Sequence, residues 1–337
     1  FFCTLCHKSL ENVIQLQYYY KQQIQTDSGM EITMADSQKG KIDMTTGHIM
    51  KNIILFAIPI IIGNVLQQLY TTVDALVIGK YCGDTSLAAV GTSSQPVEVL
   101  LCVFLGIGTG VSILISQYTG ARESGKVVSV CGTSITLIYI VGIPIGILGW
   151  FAAPYILEFM KVPQDVWNAA LIYTRVVFLG TLGNLGYNMN AGILRGLGDS
   201  KASLWFLVVS CVSNIVFDLL FVAGFGMDVA GAALSTSIAM FISWIVSIVY
   251  IRKKFPEIQF TYLPRRFSGT MMKAILAIGL PVGLNNSLYS LGHVALQTFN
   301  NSQGAIFMAG GAVAGRITGC ANIAITGLSS AATTFSG

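Results

Sequence analysis

The sequence predicts an all-α polytopic membrane protein, and three observations carry that expectation. Hydrophobic residues make up 53% of the chain and charged residues only 10%, with a mean hydropathy of +0.69; a soluble domain carries roughly 25% charged residues. Eight apolar segments, at about 50–78, 88–116, 127–153, 167–191, 202–223, 229–251, 270–297 and 304–335, each approach the ~20 residues that a helix needs to cross a bilayer. Basic residues fall in alternate connections. Lys39, Lys41 and Lys51 precede the first span, Arg122 and Lys126 follow the second, and Arg195 and Lys201 follow the fourth. Arg252, Lys253, Lys254, Arg265, Arg266 and Lys273 follow the sixth, whereas the opposite connections hold only Lys80 and Lys161. Positive-inside bias then places the N-terminus and the 252–269 loop in the cytoplasm, in a multi-pass protein of the cell membrane. A charge of +4 distributed in this way is no nucleic-acid footprint, and the bilayer is the partner it implies.

Residues 1–43 are polar, Gln-rich and aperiodic, and Met44-Thr45-Thr46-Gly47 reads as a more natural start, so the preceding segment is expected to be a disordered or non-native extension. It contains Cys3-Thr4-Leu5-Cys6-His7, a match to the C-x-x-C-H haem-attachment pattern. The cytoplasmic placement and the lack of a preceding apolar signal core argue against haem. The other cysteines show no disulfide framework; Cys102, Cys131, Cys211 and Cys320 fall inside spans as small core residues.

A faint internal repeat organises the spans. Pro59, Asn64, Leu66 and Leu69 recur 222 positions later as Pro281, Asn286, Leu288 and Leu291. A first lobe of six spans would occupy residues 44–251, a cytoplasmic inter-lobe loop 252–269, and the start of a second lobe 270–337. Duplicated halves are a common transporter plan. On that plan the chain stops at Gly337 in the second helix of the second lobe, and about four more spans are expected beyond it.

The spans carry polar stripes. In the first, Asn64, Gln67, Gln68, Thr71 and Asp74 follow spacings of three, one, three and three, and so share one helix face that should line a cavity. An ionisable carboxyl at mid-span costs several kcal/mol unless it faces a polar cavity or carries a proton. The fifth span repeats the theme with Ser210, Asn214 and Asp218 at i, i+4 and i+8, and the sixth adds Ser235, Thr236 and Ser237. For hydroxyls, close helix packing is the plainer reading; for Asp74 and Asp218 it is proton or cation coupling. Glu98 after Pro96, Arg175, His293 and Arg316 are secondary candidates, with Arg175 able to neutralise an acid or snorkel outward. Glycines at 106, 108, 110, 142, 146, 180, 183, 186, 224 and 226 fit close helix approach and hinge-like flexibility, and Pro96, Pro144 and Pro281 should bend their spans. No span shows a nucleophile–base or metal motif, which argues against an enzyme. Single buried acids and a duplicated lobe suit alternating access better than a passive channel lined by a ring of charges.

Several collinear motifs resemble one family. Ile58-Pro59, Gln67-Gln68-Leu69-Tyr70 and Asp74, then Leu87-Ala88-Ala89-Val90-Gly91, resemble the opening of multidrug and toxic compound extrusion (MATE) transporters. So do Gln117-Tyr118-Thr119-Gly120-Ala121 and Ile193-Leu194-Arg195-Gly196-Leu197-Gly198-Asp199-Ser200. The resemblance spans residues 44–337. It implies two six-helix lobes around a central cavity, of which this chain holds the first lobe and about two spans of the second. It further implies a monomer that exchanges cytoplasmic, cationic or amphipathic organic compounds for H⁺ or Na⁺ without a cofactor. Residue by residue, it assigns ion coupling to Asp74, Asn214, Asp218 and Thr236, with Asp74, Asn214 and Asp218 the ligands if the ion is Na⁺. Tyr173 belongs to the same cluster, and Gln67, Gln68, Thr71, Ser210 and Asn64 complete the cavity. Some sodium-type members carry a seventh-helix glutamate, where this chain reads Asn285-Asn286-Ser287-Leu288-Tyr289, so the first lobe is the favoured ion site. A lipid-linked oligosaccharide flippase of the same superfamily would need cavity cations, for which Arg175 and Arg316 are the candidates.

Overall fold

In the computed structural model, residues 49–160, 162, 164–258, 260, 267–302 and 305–336 are described, and every described element is helical. In chain order these are α1 (Ile49–Tyr81), α2 (Gly83–Gly120), α3 (Ser124–Phe159), α4 (Gln164–Leu179), α5 (Thr181–Gly196) and α6 (Ser200–Asp218). A π-helical segment (Leu219–Gly224) follows, then α7 (Asp228–Lys254), a single 3₁₀ turn (Pro256–Ile258), α8 (Gly269–Ser302) and α9 (Ala305–Ser336). Among the described residues six stretches are long and apolar enough to cross a membrane, and α4 with α5 adds a seventh if the pair is one span. The protein is a multi-pass membrane protein. Its outer surface is correspondingly greasy: Ile147, Leu148, Phe151, Tyr155 and Phe159 of α3 are all more than half exposed. Residues 1–43, with their Cys3–His7 motif, and the side chains of Pro96, His293 and Arg316 lie outside the described residues.

The fourth apolar run differs from its expected form. It breaks at Gly180 into α4 and α5, inclined at 47° to one another. The cause is a tertiary contact. A Cβ at Gly180 would stand 2.6 Å from Cβ of Ser237 on α7, so glycine lets α7 press directly against the chain at the bend. The Ser237 hydroxyl is bonded to Ala233 O at 2.8 Å and reaches Val176 O at 3.5 Å, bridging α7 to α4.

Helix α2 is the hub. It packs on α8 most extensively, then on α5, α4 and α3. Its contact with α8 is made of glycine on both sides: a Cβ at Gly110 would lie 2.8 Å from Gly279 N, one at Gly279 2.7 Å from Ile107 Cα, and one at Gly283 2.9 Å from Val103 Cα. On another face of α2, Gly108 lies against Asn188 and Gly192 of α5. Between helices in lipid there is no hydrophobic driving force, so such small residues are what allow backbones close enough for van der Waals attraction.

The turn from α5 to α6 is pinned by polar contacts. Gly198 adopts a left-handed φ of 82°, and the amides of Asp199 and Gly198 bond the carbonyls of Leu194 and Arg195. That is a Schellman closure of α5. Asp199 then caps α6 through Ala202 N at 3.1 Å. Its other oxygen accepts from Tyr250 Oη at 2.8 Å and Lys254 Nζ at 2.7 Å, fastening the turn to the last turn of α7.

The glycine seam generates a paired prediction. Gly279→Leu forces a side chain into α2 backbone and should cost roughly 1–3 kcal/mol of overpacking, read as a lower melting temperature of the protein in detergent. Gly125→Ala, on α3 with nothing within 4 Å of where the methyl would sit, should melt no lower than wild type, because alanine is the better helix former.

Candidate functional site

The polar stripe of α1 places Asp74 beside the end of α6. Asp218, the last residue of α6 before the π-helical segment, is fully buried. π-helical turns inside membrane helices recur at functional sites, because the wider turn re-aims side chains that a regular helix would stack in register. The Asp74 and Asp218 carboxyls lie within hydrogen-bonding reach of one another, and Asp218 also lies beside Ser235 of α7. One turn earlier on α6, Asn214 donates from Nδ2 to Thr236 Oγ1 at 3.2 Å. Tyr70 of α1 and Tyr173 of α4 sit close enough to both aspartates to feel their charge.

These groups are short of donors. Ser235 Oγ, beside Asp218, is bonded to Gly231 O at 2.8 Å. Two carboxylates cannot donate to each other. Among the described residues, Asp74 Oδ1, Asn214 Oδ1 and both oxygens of Asp218 are buried with no hydrogen-bond partner. A cluster of buried acceptors without donors is costly and calls for a proton or a cation to complete it. The oxygen-rich set suits either.

Below this cluster a cavity of about 150 Å³ opens between α1, α2, α5, α6 and α7. Asn64, Gln67 and Tyr70 line it from α1, and Asn184, Tyr187, Asn188 and Arg195 from α5. Of the residues expected to form the cavity, Asn64 and Gln67 line it. Gln68 and Thr71 are exposed, with the Thr71 hydroxyl bonded to the Gln68 carbonyl at 2.9 Å. Ser210 is buried and donates to Met240 Sδ at 3.6 Å, and Tyr173 is with the aspartates. The α5 contribution is one that the sequence reasoning misses. Its signal is nonetheless present in the sequence, since 184, 187, 188 and 195 follow i, i+3, i+4 and i+11 and so share one face. Arg175 stands away from the acid pair, its guanidinium 5.2 Å from the Trp150 ring with Nε unpaired. Glu98 is exposed.

A family model described as MatE matches residues 59–220. The probable multidrug resistance protein YpnP of Bacillus subtilis is 32% identical over 262 residues, 78% of this chain and 58% of that protein. The probable multidrug resistance protein NorM of Thermotoga maritima is 26% identical over 86% of this chain and 63% of its own length. A crystal structure of MATE in the bent conformation superposes with a TM-score of 0.78 at 28% identity, covering 90% of this chain and 67% of that one. The chain is similar to MATE transporters over most of its length. It spans less than two thirds of the curated relatives it matches, and the matched fold is that of a transporter.

Within this cluster, Asp218→Asn replaces a buried carboxylate with a neutral amide whose NH₂ can donate to Asp74. The variant is expected to melt higher in detergent than wild type, by the order of 1 kcal/mol gained when one buried acceptor finds a donor. A lower melting temperature would mean that Asp218 is held by partners the acid pair does not account for.

Proposed function

We propose that this chain serves secondary active multidrug efflux, exporting cationic or amphipathic organic compounds in exchange for H⁺ or Na⁺ by alternating access. The names of relatives such as YpnP and NorM support multidrug export. The single observation that carries the coupling is the cluster of donorless oxygens at Asp74, Asn214 and Asp218. Two adjacent carboxylates repel when both are charged, so the pair takes up a proton or a small cation when it is offered one. An organic cation competes for the same negative charge. Loading of ion from outside would release the drug, and loss of ion to the cytoplasm would restore the drug-binding state. The N-terminal side of α1 faces the cytoplasm in this reading, residues 44–251 form the first lobe, and α8 and α9 begin the second.

The energetics suffice. A potential of 100 mV contributes about 2.3 kcal/mol per charge moved. Exchange of two protons for one monovalent cation moves one net charge, which sustains roughly a fifty-fold gradient of the drug before any pH gradient is added.

The test is ethidium efflux from cells expressing the full-length gene that encodes this chain. Export should collapse with a protonophore if the ion is H⁺, or on removal of sodium if it is Na⁺. It should fall to background in Asp218→Asn and in Asp74→Asn. Full, gradient-dependent export by both variants would refute ion coupling at this pair.

A further inference from the structure

Arg195 reads in the sequence as one of the cytoplasmic loop cations, but it lines the cavity. Among the described residues it is the sole charged one lining it. Three observations show that none of the described groups consumes its charge. The carbonyls at the end of α5 are already closed by the amides of Leu197, Gly198 and Asp199, so the guanidinium is not needed to cap the helix. The nearest acid in sequence, Asp199, is saturated by Ala202 N, Tyr250 and Lys254. Among the described residues the ion pairs are Lys126 with Glu123 and Lys254 with Asp199, and no hydrogen bond joins the Arg195 side chain to another group. Its resolved electrostatic neighbour is Tyr187, on the same face of α5 and lining the same cavity.

From this geometry we infer that Arg195 is the anchor of an anion subsite, and that the cavity takes the carboxylate or phosphate group of an amphipathic anion. A guanidinium is a fork of donors matched to both groups. Asn188, Asn184 and Ser203 supply neutral polar groups to the same cavity, while Ile60, Leu101, Leu105, Leu204 and Leu207 supply an apolar wall for an attached chain. The volume fits that assignment. About 150 Å³ is too small for a whole drug-sized ligand, whose pockets run to roughly 300–1,000 Å³, but it is ample for a head group. The inference does not depend on drug efflux, because its test is binding and not export. Two sources could present this chemistry, an anionic phospholipid of the bilayer and a soluble organic carboxylate.

The experiment uses the full chain purified in a neutral detergent, with 11-(dansylamino)undecanoate as the fluorescent probe. Saturable binding is expected, displaced by dodecyl phosphate and not by dodecyltrimethylammonium, which has the same tail and the opposite charge. Arg195→Gln should weaken the probe about tenfold or more, the loss of a charge-assisted contact, and Arg195→Lys should recover part of it. Leu105→Glu is the second variant. It leaves Arg195 in place, changes a position already half exposed, and sets a competing carboxylate in the cavity wall, so it should abolish probe binding even if Arg195→Gln does not fold. Lipid extraction assigns the source. Phosphatidylglycerol that copurifies with wild type and is lost from the variants identifies a lipid ligand, whereas Arg195-dependent probe binding without copurified lipid identifies a soluble anion. Wild-type affinity in Leu105→Glu and in folded Arg195→Gln, or equal displacement by the cationic surfactant, would overturn the subsite.

Discussion

Backbone-to-backbone contact through glycine is the constraint on which the helix arrangement depends. Lipid tails are as apolar as leucine, so helices in a bilayer gain nothing by hiding greasy side chains from it. What remains is close approach. Helix α2 achieves it on two faces, against Gly279 and Gly283 of α8 and against Gly192 of α5. Once α2 is clamped between these neighbours, α5 must present its polar edge to the space bounded by α1, α6 and α7. The cavity is therefore a by-product of where glycine is permitted, and the residues that line it are those for which lipid has no use.

That space and the acid cluster beyond it have opposite character. In the cluster, oxygens accumulate without partners, around Asp74, Asn214 and Asp218. In the cavity, Arg195 carries the positive charge. Had the chain placed them within reach of one another they would have paired, and the interior would have been electrically quiet. They are held apart instead by the length of α6. Asp218 lies fifteen residues beyond Ser203, about 22 Å along a helix rising 1.5 Å per residue.

Much of this is legible in the sequence, for a physical reason. A bilayer demands uninterrupted apolar runs, so all eight expected spans have helices in the structure. It also penalises stray charge, so Asp74 and Asp218 stand out, and the structure brings them together with Asn214 and Thr236. The break at Gly180 is only partly legible: the glycine is one of ten that fit a hinge, but the contact that singles it out comes from Ser237, fifty-seven residues away. The polar edge of α5 is hidden because its spacing is split by the end of the apolar run. Arg195 falls beyond that end and so counts, by hydropathy, as a loop residue. Hydropathy reports how far a residue is from water along the chain, not which way its side chain turns.

The seam between α2 and α8 has one more property. Most helix pairs interlock, ridge into groove, and can slide only by lifting one set of side chains over another. Where glycine faces glycine those ridges are low, although Val103 and Ile107 border the glycines and Cys102 meets Ser290 across the same pair of helices. Such a seam draws its attraction from backbone contact alone, and any side chain added there props the two helices apart.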